Sequence, residues 1–437
     1  MSRLKKVVLL LGDIATLYAS LALTLFLRYP ANLFWDRWRD HLVPFSLIFA
    51  VWVIIFGLAD LYRQKFFRSP SKMFAGLFTA AAIAVLASIV LFYLFGEFFN
   101  LTPKTNLFLF ALVYMFLGYA FRILFLASMA TDTTSLLFLG ESPLVSELVS
   151  FIEDSPQAGY HIAAWIRNKE SLAEHNLPAL ARDLKIRAVV VQPKLAKDPF
   201  VVKTLYALLP EGVALLNFSD FYELIFDKVP LEELEEGWFL EHVVARQPFY
   251  EAVKRLVDFL LALTSSLVFL VPTLLIALII KLTSRGPALY IQERTGHNGK
   301  RFNLYKFRTM RTGDEGPLWT TENDSRITGF GKFLRFTHLD EIPQLWNIVR
   351  GDISFTGPRP ERTELASTYA TLPYYDMRHV VKPGLTGWAQ INFRPSASLE
   401  EAREKLAYDI YYVKYRSLVL DIVITLKTIK YLFRSHK

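Results

Sequence analysis

Four long apolar runs near the start of the chain restrict its possible folds more than any other feature. They are Val7–Leu27, Leu42–Leu58, Met73–Phe95 and Asn106–Ala127. Each is close to the roughly 17–25 apolar residues with which a helix crosses a bilayer. Hydrophobic residues make up 53% of the 437 positions, a composition typical of membrane proteins. We therefore predict a membrane protein whose residues 1–130 form a bundle of four transmembrane helices.

The basic residues between these runs predict the orientation of the bundle. Arg3, Lys5 and Lys6 precede the first run, Arg63, Lys65, Arg68 and Lys72 separate the second from the third, and Lys104 lies between the third and fourth. Loops rich in lysine and arginine stay in the cytoplasm, so we expect the N-terminus and residues 59–72 on that side. The net charge of +8 suits anionic lipid, and we expect no nucleic-acid partner.

Two charged residues, Asp13 and Arg122, lie inside the predicted spans. A charge inside a bilayer is costly and often marks a functional site. We favour a structural interpretation instead. In it, Asp13 faces the interior of the bundle, and Arg122 extends its side chain to the cytoplasmic end of its helix.

Residues 134–240 alternate between short apolar segments and helical patterns. The predicted strands are Ser135–Leu139, His161–Ile166, Ala188–Gln192 and Val213–Phe218, and the predicted helices are Pro143–Asp154, Leu177–Asp183 and Phe200–Leu209. This alternation predicts a Rossmann-like α/β domain with a parallel sheet. The first turn, Gly140–Pro143, lacks the glycines that let a backbone approach a pyrophosphate, so we expect a structural or regulatory domain. The acidic stretch Glu232–Trp238 is predicted to be a linker.

A later segment, residues 337–361, combines charged residues with turn formers. Its sequence is THLDEIPQLWNIVRGDISFTGPRPE. We predict a short helix over Asp340–Val349 with the adjacent acids Asp340 and Glu341 in its first turn, followed by a stiff turn that presents Arg359. Acids, an arginine and a glycine-containing backbone together suit a nucleotide diphosphate held on a divalent metal. The alternative is that the two acids only cap the helix.

Six blocks of sequence follow one another between Tyr250 and the C-terminus. They are KRLVD (Lys254–Asp258), KLTSRGPALYIQERTGHNGKRF (Lys281–Phe302), YKFRTM (Tyr305–Met310), LDEIPQLWN (Leu339–Asn347), GDISFTGPRPE (Gly351–Glu361) and KPGLTGWAQIN (Lys382–Asn392). In this order they resemble the bacterial sugar transferase family, membrane enzymes that transfer a phosphosugar from a nucleotide-sugar to polyprenyl phosphate. Ile353 stands where that family usually has methionine, a difference that is conservative in volume.

The resemblance implies a mixed α/β catalytic domain over residues 250–437 and assigns roles to the two acids. Asp340 would be the nucleophile, and Glu341 would be a second catalytic residue and the ligand of Mg²⁺. A carboxylate that attacks phosphorus forms an acyl phosphate, which divides the transfer into two steps. Mg²⁺ suits such a site because it binds one or two carboxylates together with substrate oxygens. In larger family members a CoA-binding-like domain occupies the place of residues 134–240, a likeness of layout only.

Cations are needed for the phosphate groups of both substrates. Arg359 is the main candidate, because a guanidinium group binds phosphate through two parallel hydrogen bonds. Lys306 and Arg308 are further candidates for substrate binding, and a solvated strand face is their alternative role. Arg335 completes the predicted substrate-binding set.

A fifth apolar run, Leu256–Ile280, is also long enough to cross the membrane. A straight fifth span would place Asp340 outside, away from nucleotide-sugars made in the cytoplasm. Pro272 predicts a kink, and a bent helix that enters and leaves on one face keeps the catalytic domain in the cytoplasm. The family's catalytic domain is anchored by such a re-entrant helix, and a straight span is the alternative. Residues Ser417–Phe433 are predicted to form an amphipathic helix on the membrane surface or, alternatively, a core helix.

Together these features predict a polyprenyl-phosphate phosphosugar transferase of the bacterial inner membrane, multi-pass and with its catalytic domain facing the cytoplasm. By the resemblance, a UDP-sugar is the donor, undecaprenyl phosphate the acceptor and UMP a product, in the first membrane step of exopolysaccharide, capsule or lipopolysaccharide O-antigen synthesis. Membrane lipid, downstream glycosyltransferases and a second copy in a homodimer are the other expected partners. Two alternatives are a metal-dependent nucleotide-sugar hydrolase and a non-catalytic scaffold of a polysaccharide complex.

Overall fold

The computed structural model describes residues 3–59, 61–62, 70–94, 96, 104–129, 133–155, 158–235, 237–243, 247–311, 326–393 and 398–432. The chain divides into two compact units, residues 1–218 and 219–437. Three basic residues of the predicted cytoplasmic loop, Arg63, Lys65 and Arg68, lie outside the described residues, as does Phe95 at the end of the third apolar run.

Four long helices begin the first unit. They are α1 (Arg3–Arg28), α2 (Phe34–Leu58), α3 (Pro70–Leu94) and α4 (Lys104–Met129). Each is long and apolar enough to cross a membrane, which confirms the four apolar helices predicted from the four runs. Their core is aromatic: Trp52 meets Phe110 and Tyr114 edge-on at centroid distances of 5.1 and 5.4 Å, and all three are buried. The orientation of the helices in a membrane stays a prediction.

The two charged residues of this bundle pair with each other. NH1 and NH2 of Arg122 each donate to the Asp13 carboxylate at 2.7 Å, and both side chains are fully buried. The prediction that Asp13 faces the bundle interior is confirmed, and the prediction that Arg122 extends to the membrane surface is wrong. Helix α1 packs along α4, and the ion pair neutralises both charges inside the bundle.

A four-stranded parallel sheet forms the rest of the first unit. Its strands are β1 (Thr134–Leu139), β2 (Tyr160–Ile166), β3 (Ala188–Val191) and β4 (Ala214–Asn217), in the order β2-β1-β3-β4. The intervening helices are α5 (Pro143–Glu153), α6 (Lys169–Ala173), α7 (Leu177–Asp183), α8 (Pro193–Ala196) and α9 (Pro199–Tyr206). Leu137, Val189 and Val201 are buried in the shared core. The predicted parallel α/β arrangement is confirmed, whereas its Rossmann-like classification and the domain bounds stay predictions.

The second unit begins with a segment that we call the strap, residues 219–243. It contains most of α10 (Phe218–Phe226), a 3₁₀ turn (Leu231–Glu233) and α11 (Trp238–His242). Trp238 is buried, and the ammonium group of Lys414 lies 4.9 Å from its ring centroid. The amide of Val229 also donates to the carbonyl of Ala407 at 3.1 Å. The stretch predicted to be a linker is therefore part of a packed segment.

The fifth apolar run forms two helices, α12 (Pro248–Val268) and α13 (Leu270–Thr283), which meet at an angle of 60°. The break lies at Phe269, three residues before the predicted kink at Pro272. A proline ring collides with the carbonyl four positions earlier, here that of Val268, and proline itself is tolerated in a first helical turn. The bend fits a broken span or a re-entrant hairpin, so the re-entrant arrangement is taken up below as a proposal.

The remaining elements of this unit surround the two acids. The strands are an antiparallel pair, β5 (Leu289–Thr295) and β6 (Arg301–Phe307), and a parallel pair, β7 (Ser354–Thr356) and β8 (Gly384–Thr386). The helices are α14 (Gly329–Phe336), α15 (Gln344–Arg350), α16 (Thr363–Tyr369), α17 (Trp388–Asn392), α18 (Leu399–Tyr415) and α19 (Leu418–Leu432). Three 3₁₀ helices cover His297–Gly299, Leu339–Glu341 and Tyr375–Val380.

The last helix, α19, occupies the segment predicted to be amphipathic, except for Ser417, which precedes the helix, and Phe433, which lies outside the described residues. Val423 and Ile424 are buried, whereas Val419 is 66% exposed and Ile422 is 49% exposed. The helix therefore has one packed face and one exposed apolar face. Its position on a membrane stays a prediction.

Candidate active site

The adjacent acids lie in a 3₁₀ turn, not in the first turn of an α-helix as predicted. His338, with a φ of 55°, precedes the turn, and α15 begins only at Gln344. Pro343 has no N–H, so it cannot make the α-helical hydrogen bond to the carbonyl of Leu339. The turn closes instead through hydrogen bonds between residues three positions apart, such as the one from the amide of Ile342 to the same carbonyl at 3.3 Å. Asp340 and Glu341 therefore sit on a tight turn ahead of the helix.

Two cations hold Glu341. Nζ of Lys306 lies 2.6 Å from its Oε1, and NH2 of Arg359 lies 3.1 Å from the same oxygen. Burial alone would raise the pKa of Glu341, but the charges of Arg359 and Lys306 outweigh burial and hold that pKa well below its ordinary value. Burial lowers the pKa of Lys306, and Glu341 opposes this only in part. Glu341 therefore stays a carboxylate at pH values at which an ordinary glutamate side chain is protonated.

Asp340 has a different environment from its neighbour. Within the described part of the chain, no group donates a hydrogen bond to its half-buried carboxylate. Burial raises the pKa of Asp340, the charge of Lys306 lowers it, and the charge of Glu341 raises it further. A carboxylate that is poorly solvated and engaged by no donor is reactive, which is the property that a nucleophile needs.

The two other predicted cations have different partners. Nε of Arg335 donates to Oγ1 of Thr309 at 2.9 Å, and the charge of Arg335 also lowers the pKa of Asp340. Arg308 is buried, and its NH2 donates to the carbonyl and hydroxyl oxygens of Ser284 at 3.0 and 2.7 Å. The structure thus brings Lys306, Arg359 and Arg335 to the acids, while the hydrogen bonds of Arg308 go to the end of α13.

Helix α15 is fixed from two directions. The side chain of Asn347 is fully buried, accepts from the amide of Tyr305 at 3.1 Å and donates to the carbonyl of Asn303 at 2.7 Å, which joins the helix to the strand that carries Lys306. Arg255 of α12 donates from NH1 and NH2 to the last carbonyls of α15 at 2.6 and 2.7 Å. The bent helix pair is thereby connected directly to the helix that follows the acids.

A glycine allows the loop that carries Arg359 to approach β8. A Cβ atom on Gly357 would lie 2.4 Å from the carbonyl oxygen of Lys382 and 2.9 Å from the amide nitrogen of Gly384. Any larger residue would therefore push the loop away from the strand. The close approach places Arg359 where its guanidinium reaches Glu341.

Sequence reasoning missed a buried ionic cluster behind this loop. Nε and NH2 of Arg378 donate to Oδ2 of Asp409 at 3.1 and 2.8 Å, and Nζ of Lys405 lies 2.5 Å from Oε1 of Glu361. The spacing of Lys405 and Asp409 places both on one face of a helix, which is a detectable signal. Nothing in the sequence pairs that face with Arg378, because the partners are distant along the chain.

The site can be tested for the Mg²⁺ that the resemblance implies. No three histidine, aspartate or glutamate side chains converge on one point within the described residues. Mg²⁺ is nevertheless commonly bound by one or two carboxylates together with substrate phosphate oxygens. Oε1 of Glu341 already accepts from two cations, so Oε2 of Glu341 is the oxygen that remains for such an ion.

Comparison with known proteins finds one matching family model and several individual relatives. The family model for the bacterial sugar transferase matches residues 249–435. A UDP-N-acetylgalactosamine-undecaprenyl-phosphate N-acetylgalactosaminephosphotransferase of Aeromonas hydrophila is 34% identical over 221 residues, which are 50% of this chain and 52% of that protein. The chain thus spans about half the length of this relative.

Two further relatives are matched over larger shares of their length. A UDP-glucose:undecaprenyl-phosphate glucose-1-phosphate transferase of Xanthomonas campestris pv. campestris is 31% identical over 330 residues, which are 69% of this chain and 67% of that protein. An exopolysaccharide production protein of Rhizobium leguminosarum bv. phaseoli is 40% identical over 186 residues, 40% of this chain and 93% of that protein. With these matches and the family model over its second unit, the chain belongs to the bacterial sugar transferase family.

Proposed function

We propose that this protein transfers a sugar 1-phosphate from a UDP-sugar to undecaprenyl phosphate and releases UMP. The observation that carries the proposal is that the two adjacent acids differ in their hydrogen-bond partners. Glu341 is fixed by Lys306 and Arg359, whereas Asp340 is engaged by no hydrogen-bond donor among the described residues. The names of the relatives support the same donor and acceptor, since they include UDP-sugar:undecaprenyl-phosphate transferases.

In the first step, a carboxylate oxygen of Asp340 attacks the phosphorus atom that carries the sugar. A new bond forms between this oxygen and phosphorus, the pyrophosphate bond breaks, and UMP leaves with the bridging oxygen and its electron pair. The product on the protein is an acyl phosphate that holds the phosphosugar. Lys306 and Arg359 neutralise the phosphate charge that would otherwise repel Asp340.

In the second step, a phosphate oxygen of undecaprenyl phosphate attacks the same phosphorus atom. The acyl phosphate bond breaks, Asp340 returns to a carboxylate, and the product is a lipid-linked diphosphosugar. Arg335, whose charge acts on Asp340, is suited to hold the incoming phosphate. A bound Mg²⁺ would supply charge neutralisation at the pyrophosphate, with Glu341 as its protein ligand.

The proposed acceptor requires the site to lie at a membrane surface. The 60° bend between α12 and α13 supports a re-entrant hairpin that keeps the catalytic unit on the cytoplasmic face of the inner membrane. Leu267, Val268 and Val271, next to the bend, are each more than 60% exposed, as expected of side chains that contact lipid. Exopolysaccharide, capsule or O-antigen synthesis is the proposed pathway class, with downstream glycosyltransferases as consumers of the product.

The test is to incubate the full-length protein with UDP-sugar, labelled at the phosphate next to the sugar, with and without undecaprenyl phosphate. We expect about one equivalent of UMP and a labelled protein without acceptor, and continuous UMP release with acceptor. Asp340→Asn should abolish both, whereas Glu364→Gln, at an exposed acid of α16, should leave both unchanged. Continuous UMP release without acceptor would instead indicate a hydrolase, and no UMP at all would indicate a scaffold.

A further inference from the structure

The loop that carries Arg359 is held through its carbonyl oxygens. Pro358 and Pro360 flank Arg359 and have no N–H, so two amides that could anchor the loop are missing. Four consecutive carbonyls accept hydrogen bonds instead. They are Pro358 O from the Gly384 amide at 2.9 Å, Arg359 O from NH2 of Arg378 at 2.8 Å, Pro360 O from NH1 of Arg294 at 3.1 Å and Glu361 O from the Thr295 amide at 3.2 Å.

One of these donors is a charged group inside the protein. Arg378 is 3% exposed, and its NH2 lies 2.8 Å both from the carbonyl oxygen of Arg359 and from Oδ2 of Asp409. Burial alone would lower the pKa of Arg378, but the Asp409 carboxylate raises it, so the group stays a cation. The hydroxyl of Tyr375 accepts from NH1 of Arg378 at 3.3 Å, which fixes the plane of the guanidinium.

A planar guanidinium is well suited to this bridge. It presents several donors in a rigid fork, so that Arg378 can bind Asp409 through Nε and NH2 while NH2 also reaches the loop carbonyl. The single ammonium nitrogen of a lysine cannot reproduce this geometry. A hydrogen bond from a charged group is also stronger than one from a neutral group.

We propose that Arg378 is a positioning residue. By holding the carbonyl of Arg359 from behind, it directs the guanidinium of Arg359 to within 3.1 Å of Glu341, where the substrate phosphates are received. The inference rests on the proposed function, in which Arg359 binds a phosphate. Arg378 acts only through Arg359, so a loop displaced by about 1 Å should reduce turnover by up to about 100-fold.

The experiment is a double-mutant cycle in the full-length protein, with kcat/KM for UDP-sugar as the readout. Arg378→Lys and Arg359→Lys are each expected to reduce kcat/KM at least 10-fold. The double variant should lose no more than Arg359→Lys alone, because the same interaction is removed by either change. Arg403→Lys, on the helix that carries Asp409 but half exposed and paired with Glu232, is the control expected to keep the wild-type rate.

A second readout does not depend on turnover. Amide hydrogen exchange of residues 354–362 should be faster in Arg378→Lys and Asp409→Asn than in the wild type, while the melting temperature of Arg378→Lys stays within a few degrees of it. The proposal would be overturned if the double variant lost kcat/KM by the product of the two single losses, or if amide exchange of residues 354–362 were the same in the variants as in the wild type. If the wild type releases no UMP, the proposed function fails, and the exchange rates still decide whether Arg378 positions the loop.

Discussion

The ammonium group of Lys306 lies 2.6 Å from Oε1 of Glu341, and this contact separates the environments of two adjacent acids. With Arg359 it holds the pKa of Glu341 well below its ordinary value, against the effect of burial. For the neighbouring Asp340, burial raises the pKa, and the charge of Lys306 offsets this effect only in part. One acid is therefore held in place and charged at neutral pH, and the other is free to react.

The raised pKa of Asp340 predicts an acid limit for the first chemical step. Asp340 attacks only as a carboxylate, so adduct formation should decline as the pH falls through a value above the ordinary 3.8 of aspartate. The measurement is the initial rate of protein labelling by UDP-sugar without acceptor, so that the ionisation of undecaprenyl phosphate has no influence. A labelling rate that stays constant down to pH 4 would contradict the assignment.

Conservative changes at the two acids should have opposite effects on stability. A raised pKa in the folded state means that ionised Asp340 lowers the free energy of unfolding at neutral pH, a loss that disappears as the pH falls through that pKa. Asp340→Asn should therefore melt at or above the wild-type temperature. Glu341 has a depressed pKa, so its contribution is fully present above the ordinary glutamate value of 4.5 and is lost progressively as the pH falls from there towards the depressed pKa. Glu341→Gln should reduce the free energy of unfolding by about 1–3 kcal/mol.

Thermal unfolding in detergent at pH 7 measures both variants on one scale. Labelling by UDP-sugar, measured on the same samples, separates stability from chemistry, because Asp340→Asn should be stable and unreactive. A lower melting temperature for Asp340→Asn than for Glu341→Gln would refute the electrostatic description of the turn.

The pair formed by Asp13 and Arg122 should be strongly coupled. Removal of one partner leaves a buried charge without compensation, so Asp13→Leu or Arg122→Met alone should lower the free energy of unfolding by about 3–5 kcal/mol. The double variant Asp13→Leu with Arg122→Met should recover most of this loss, because a buried ion pair can often be replaced by apolar groups. The measurement is thermal unfolding of the four proteins in detergent, and additive losses would show that the pair is not coupled.

The sequence predicts features of this protein that depend on local patterns. The apolar runs give the four helices, and the alternation of strands and helices gives the parallel sheet, because both follow from side-chain periodicity. The start of the helix after the two acids and the break in the fifth apolar run each depend on one proline, and the sequence predicts each a few positions away from where it lies. The 3₁₀ turn at Asp340 follows from Pro343, and the break at Phe269 follows from Pro272, which acts on the residue four positions before it.

Contacts between distant parts of the chain could not be predicted in this way. Arg122 pairs with a residue 109 positions away, so that its isolated place in an apolar run suggested a path to the membrane surface. The same limit applies to Arg378 and Asp409, which are 31 positions apart. Trp238 lies in an acidic stretch that looks solvated, and only the fold shows that Lys414 covers its ring.

Cysteine labelling can test the re-entrant hairpin, because the chain has no native cysteine. Ala31→Cys lies between α1 and α2, and Lys300→Cys lies in the turn between β5 and β6; both positions are exposed. We expect an impermeant thiol reagent added to intact spheroplasts to label Ala31→Cys but not Lys300→Cys, and to label both after lysis. Labelling of Lys300→Cys before lysis would show that α12 and α13 cross the membrane.

Two ion pairs between the strap and α18 should differ in their contribution to stability. Glu223 is 1% exposed and accepts from Nζ of Lys414 at 2.8 Å, whereas Glu232 and Arg403 form a pair at 2.9 Å that is half exposed. Glu223→Gln removes the buried counter-ion of Lys414 and leaves it only the exposed carboxylate of Asp220 at 3.3 Å, so it should reduce the free energy of unfolding by about 1–3 kcal/mol.

The matched change Glu232→Gln should cost at most about 1 kcal/mol, because water screens an exposed pair. Thermal unfolding gives the two losses, and amide exchange along α18 shows where the protein opens. Faster exchange of α18 in Glu223→Gln alone is expected if the strap stabilises the helix that carries Lys405 and Asp409. Equal losses of unfolding free energy in the two variants, or faster amide exchange confined to the strap, would mean that the strap contacts α18 without stabilising it.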